Sequence, residues 1–185
     1  MNKNYVVIES QEDIIRRLLI LDDNIGLISL RDKVRFVIFG GAAFLLRTPF
    51  RPTSDIDVYM LEEKGYAEIE VMLNELDINT NIQRILEMPP KEDFIQRMER
   101  LDIDFQHIEV FVASAYDLII SKLFSTRGAK DAIDLIRSDL LDQVNIDELR
   151  DMWLELKSYS LFEHRYNDLD DILLSREEFK AKKVN

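Results

Sequence analysis

Between Phe36 and Met60 the chain sets out residue types that can hold a charged phosphate ligand. An apolar run, Phe36-Val37-Ile38-Phe39, leads directly into Gly40-Gly41, and Asp55-Ile56-Asp57 follows fourteen positions after Gly41. Two glycines after a strand let the backbone come close to a ligand. A helix beginning there offers unpaired N–H groups and the positive end of its dipole to a phosphate. In a strand, Asp55 and Asp57 are i and i+2, so both carboxylates point to one face. Paired carboxylates repel each other unless a cation sits between them, and magnesium accepts one or two carboxylates together with phosphate oxygens and water. Arg51, four residues before Asp55, could neutralise a triphosphate or position the loop.

The surrounding sequence must position these groups. Ser10 and Asp13 open a helix whose apolar residues (Ile14, Ile15, Leu18, Leu19, Leu21) recur at helical spacing until Asn24-Ile25-Gly26. Phe36–Phe39 reads as a buried strand and Ala42–Leu46 as a short helix stopped by Pro49 and Pro52. Asp55–Met60 alternates as a second strand, and Tyr66–Leu76 follows as a helix. Asn81–Glu87 is a candidate strand, and Lys91–Arg100 reads as a charged helix. His107–Val112 is a third strand, followed by helices at Ala115–Phe124, Lys130–Leu141, Ile146–Lys157 and Asn167–Lys183. This order predicts an α/β (α+β) fold: a small mixed sheet with flanking helices and a helical C-terminal part. The division expected is a core over 1–140 and a helical extension over 141–185 packed on it as one compact unit.

Composition narrows the chemistry. With 185 residues and 46% hydrophobic side chains the chain can bury a real core, which excludes disordered and collagen-like classes. There is no cysteine, so disulfide scaffolds, thiol nucleophiles and cysteine-ligated zinc are excluded. Two histidines, His107 and His164, are too few for a histidine-rich metal centre, and both read as surface or structural residues rather than a general base. A metal here needs oxygen ligands. The net charge of −12 repels nucleic-acid backbones at long range, though a local basic patch is compatible with it. Met1–Glu9 has no apolar signal region, and the uncharged stretch Phe36–Leu46 is far short of the ~20 residues a membrane span needs. A cytoplasmic protein with no membrane partner is expected.

The segments Phe39-Gly40-Gly41-Ala42-Ala43 and Arg51-Pro52-Thr53-Ser54-Asp55-Ile56-Asp57-Val58 resemble the signature of the polymerase-β-like nucleotidyltransferase superfamily. The Arg-x-Thr-x-Asp-Ile-Asp form is most similar to the AbiEii-type group of bacterial proteins, many of them toxins of toxin–antitoxin pairs. A second block, Asp117-Leu118-Ile119-Ile120-Ser121-Lys122-Leu123 and then Lys130-Asp131-Ala132-Ile133-Asp134-Leu135, resembles that group's downstream pattern. Together they span roughly Arg35 to Ile136.

The resemblance implies a nucleotidyltransferase core and a set of roles. Asp55 and Asp57 would bind Mg2+ or Mn2+, and Gly40 and Gly41 would hold the phosphates of a nucleoside triphosphate, with Arg51 and Thr53 grouped beside them. Lys122 would contact phosphate, and Asp131 would orient Lys122 or the acceptor. A hydroxyl would attack the α-phosphate and release pyrophosphate; an RNA 3′ end is the implied acceptor in some relatives, and an antitoxin protein an implied partner. Many superfamily members carry a third carboxylate on a strand beside the Asp-x-Asp strand, for which Asp104 and Glu109 are the candidates. Two alternatives stand beside this reading: a small-molecule (antibiotic) nucleotidyltransferase, and a catalytically degenerate fold that binds a nucleotide or a protein. Of the basic residues, Arg35, Arg47, Arg51, Lys122, Arg127 and Lys130 fall near the proposed site in sequence.

Overall fold

The structure, a computed structural model, describes residues 7–28, 30, 32–48, 51–61, 66–80, 93–125, 127–159 and 167–184. The candidate strand at 81–87 and His164 lie outside these residues. Ser10 caps the first helix, α1 (Gln11–Gly26), in a capping box: its hydroxyl accepts from the Asp13 N–H while the Asp13 carboxylate accepts from the Ser10 N–H. Ile14, Leu18, Leu21 and Ile25 form the buried stripe of α1.

Strand β1 (Val34–Phe39) runs straight into α2 (Gly40–Arg47), and β2 (Ile56–Met60) returns antiparallel to β1. Helix α3 (Tyr66–Glu75) then leads to a two-residue strand, β3 (Ile78–Asn79), parallel to β2. A one-turn helix, α4 (Phe94–Arg97), precedes β4 (Glu99–Arg100), which pairs antiparallel with β5 (Ile108–Val112). Strand β5 lies parallel to β1, so the sheet order is β3-β2-β1-β5-β4. This is a mixed sheet with β1 at its centre, and Phe36 to Phe39 are fully buried within it, as their uninterrupted apolar run requires.

Helix α5 (Ala115–Leu123) begins at a Ser114 cap, and α6 (Ala129–Arg137) follows. A 3-10 turn (Leu140–Gln143) leads to α7 (Ile146–Tyr159), whose first N–H groups at Asp147 and Glu148 donate to Asn145. The last helix is α8 (Leu169–Val184), packed against α6. Among the described residues no helix is long and apolar enough to cross a membrane.

Two helices differ from the sequence reading. The expected helix Lys91–Arg100 is reduced, in its described part, to the turn Phe94–Arg97, because Glu99 and Arg100 join the sheet edge opposite Val112 and Phe111. The expected helix Lys130–Leu141 ends at Arg137. Arg176 of α8, only 5% exposed, donates to the carbonyls of Leu135, Ile136 and Ser138 and takes up the end of α6 from outside. It also pairs with Asp142 at 2.6 Å. Asp22 of α1 fixes the start of β5 in a similar way. Its buried carboxylate accepts N–H groups from Gln106, His107 and Ile108 at 2.9, 2.7 and 2.9 Å, which supplies partners that a strand end otherwise lacks. Trp153 of α7 is buried, with the Lys157 ammonium 4.4 Å from its ring centre.

Candidate active site

The β1–α2 junction requires its glycines. Gly40 adopts φ +59, in the left-handed region that side-chain-bearing residues avoid. A Cβ at Gly40 would also lie 2.3 Å from Asp57 Oδ2, and one at Gly41 would lie 2.4 Å from Thr53 Oγ1. The missing side chains therefore let Asp57 and Thr53 close over the start of α2. Thr53 is fixed in turn by a two-way backbone bridge to Ile8, at 2.8 and 3.0 Å.

Asp57 lies opposite Phe39 on one side and Asn79 on the other. Asn79 Nδ2 donates to Asp57 Oδ1 at 3.0 Å. Burial, and next the neighbouring Asp55 charge, push the Asp57 carboxyl up to about 6; Asn79, Arg127 and Lys122 oppose that rise without cancelling it. Asp55 sits just before β2, half-buried, with the Ser54 hydroxyl donating to it at 3.2 Å. The two carboxylates are the residues of this site that could hold a cation. Among the described residues, no group of three or more His, Asp or Glu side chains is gathered for a metal.

The second motif block meets the first through a buried charge network. Lys122 Nζ donates to Asp131 Oδ1 at 2.5 Å and to Asp134 Oδ2 at 2.7 Å. Arg51 reaches Asp134 with two parallel bonds, both 2.6 Å, the geometry in which a guanidinium matches a carboxylate best. Burial would raise the Asp134 pKa, but Arg51 and Lys122 together hold it below the usual carboxylate range. The Lys122 ammonium also lies 5.1 Å from the Phe44 ring centre. Two cations and two carboxylates thus close a balanced cluster that ties the 51–54 loop to α5 and α6.

A cavity of about 320 Å³ opens between the blocks. Gly40, Gly41, Thr53 and Asp57 line one side, and Lys122 and Asp131 the other. Arg51, Arg127 and Lys130 complete its rim. The structure thus brings Gly40, Gly41, Arg51, Thr53, Asp57, Lys122 and Asp131 together, with Asp55 adjoining.

The two candidates for a third carboxylate are not brought there. Glu109 pairs across the sheet with Arg35, four residues along β1 from Phe39, the residue opposite Asp57. At about 3.3 Å per residue, that is roughly 13 Å away along the strand, and Glu109 is engaged by Arg35 at 3.0 Å and Arg100 at 3.6 Å. Asp104 borders a separate surface hollow with Arg100 and Leu101. The position beside Asp57 on the adjacent strand is Asn79, an amide. Two residues gain a place that the sequence reading did not give them: Asn79, whose pairing with β2 depends on strand register, and Asp134, three residues after Asp131 and so on the same face of α6.

A central strand that ends in two glycines at a helix start, with an Asp-x-Asp strand folded back over them, defines a nucleotidyltransferase core. The chain belongs to the family described as nucleotidyltransferase of unknown function (DUF6036), which matches residues 16–183 and so includes both motif blocks. Comparison with curated proteins and with solved structures gives no significant match.

Proposed function

We propose that the chain is a divalent-metal-dependent nucleotidyltransferase that moves a nucleoside monophosphate from a nucleoside triphosphate to a hydroxyl. One observation carries this reading. Asp57 is a buried carboxylate that has no cationic hydrogen-bond partner among the described residues, is pressed by Asp55, and lines a cavity with the glycines of a helix start. Buried carboxylates with a raised pKa and a like charge beside them cluster at binding and catalytic sites.

The donor set fits magnesium or manganese, with Asp55 and Asp57 as ligands. When bound, such an ion supplies charge neutralisation at the phosphates and lowers the pKa of a coordinated hydroxyl. The chain's own groups do the rest. The α2 start and the glycines admit the phosphates, and Asp131 holds Lys122 in place at the cavity wall. Arg51, locked on Asp134, keeps the loop before Asp55 in position. In the transfer, the acceptor oxygen bonds to the α-phosphorus as the bond to the bridging β-oxygen breaks. Pyrophosphate leaves with the electron pair of the broken bond, and the hydroxyl proton passes to solvent water.

The resemblance to the AbiEii-type group supports an RNA 3′ end as acceptor, with a toxin-like role checked by an antitoxin protein. The test is transfer from α-labelled nucleoside triphosphates, each given separately with Mg2+ or Mn2+ and total bacterial RNA, with Asp57→Ala as control. Label in RNA that is lost in the variant supports the reading, and no label from any nucleotide sinks the RNA acceptor. Asn79 favours one second reading. With an amide where many superfamily members place a carboxylate, the fold would bind a nucleotide without turning it over. Nucleotide binding without transfer to RNA or to small hydroxyl acceptors would select it.

A further inference from the structure

The six basic residues clustered in sequence near the site are not equivalent in the structure. Arg35 is bonded to Glu109. Arg47 lies 3.0 Å from Glu99 and donates to the Ala113 carbonyl at 2.7 Å. Arg51 and Lys122 are matched by Asp131 and Asp134. Lys122 has spent two of its three N–H donors on carboxylates, and its cluster carries no net charge. That leaves Arg127 and Lys130. Both are exposed, both line the cavity, and neither makes an ion pair among the described residues.

Their placement is built into the fold. The Lys130 N–H donates to the Arg127 carbonyl at 3.3 Å, so the two side chains leave from the ends of one tight turn. Gly128 inside that turn has φ +50. Asn167 holds the turn from the C-terminal side, its amide donating to the carbonyls of Gly128 and Lys122, both at 3.3 Å. Two like charges thus flank one cavity in a chain of net charge −12. A local positive patch of this kind attracts an anion that the rest of the surface repels.

We propose that Arg127 and Lys130 bind the polyphosphate tail of the nucleotide, the part that departs as pyrophosphate, and that Lys122 serves to hold the site together rather than to bind that tail. This rests on the nucleotide-site reading above. It departs from the phosphate contact that the resemblance implies for Lys122. The charge pattern explains how an acidic protein admits a highly charged anion: the exposed lining supplies two cations without an ion pair among the described residues, and the buried Asp57 lines the same cavity.

Calorimetric titration of the full chain with inorganic tripolyphosphate tests this directly, because that probe has no base and no transferable group. The Arg127→Ala/Lys130→Ala variant should bind it at least tenfold more weakly than wild type. Lys182→Ala/Lys183→Ala, which removes equal charge from the last helix, should stay within twofold. Equal binding by the rim variant, or no binding by wild type, overturns the proposal. Kinetics separate it from the parent reading. If the rim variant transfers label with an unchanged KM for nucleotide, or with a raised KM for RNA alone, this assignment fails while the transferase stands. If wild type binds tripolyphosphate through the rim but transfers label neither to RNA nor to small hydroxyl acceptors, the assignment stands and the transferase fails.

Discussion

Asp57 and Asp134 belong to the two motif blocks of one site, and they respond to burial in opposite ways. Asp57, 9% exposed, has an amide partner and another carboxylate beside it, and its carboxyl rises to about 6. Asp134, 2% exposed, is more deeply buried, yet Arg51 and Lys122 hold it ionised below the usual range. Depth therefore does not decide the charge state; the neighbours do. The difference teaches how the site divides its labour. The Asp55–Asp57 side carries charge that its neighbours offset only in part, which is the side the proposed function gives to a ligand. The Asp134 side is complete already, and its task is to hold two chain segments together.

This contrast is broken most sharply by Asp57→Asn. Transfer should fall at least a thousandfold, equivalent to about 4 kcal/mol of barrier. In metal-free buffer at pH 7 the same variant should be more stable than wild type, because keeping Asp57 ionised costs on the order of 3 kcal/mol. Each kcal/mol gained should raise Tm by about 2–4 °C. A lower Tm in a thermal scan would show Asp57 to be structural.

Asp134→Ala should do the reverse. It leaves Arg51 and Lys122 facing a buried gap, and a urea midpoint should report a loss of about 3–5 kcal/mol.

The pH dependence then separates the two aspartates. Asp57 binds its proton more tightly folded than unfolded, so between about pH 4 and 6 its ionisation lowers stability as pH rises. The stability gap between Asp57→Asn and wild type should widen across that window and flatten above it, and Mg2+ should narrow it. Asp134 is depressed, so its contribution is present above the ordinary carboxylate pKa and is lost as pH falls through its folded value. A gap that is flat from pH 4 to 7 would remove the distinction.

The smallest effect belongs to Glu109→Gln. This carboxylate sits in a partly exposed pair with Arg35 and Arg100. Stability should change by no more than about 1 kcal/mol, and transfer should be unchanged. Loss of activity would return Glu109 to the metal-ligand candidates.

Local chemistry made the left half of this comparison legible from sequence. Phe36–Phe39 must be buried, and Gly40 must relieve a turn. The Ser10 box follows equally from residues three positions apart. What stayed hidden depends on partners distant in the chain. Nothing in Glu99-Arg100 announces a strand until Phe111 and Val112 lie beside it. Nothing in Ser138 announces a helix end until Arg176 arrives from α8. Asn79 gains its position only from register against β2, and Asp134 only from Arg51, 83 residues earlier.

Trp153 has one more use. It is the single tryptophan of the chain, buried under the Lys157 ammonium, and its indole N–H finds no acceptor among the described residues. It is therefore a built-in fluorophore whose emission should be blue-shifted in the native state and move to the red when α7 is exposed. Because Trp153 does not line the cavity, its signal follows the folding of the helical end and gives the stability comparisons above a readout free of added labels.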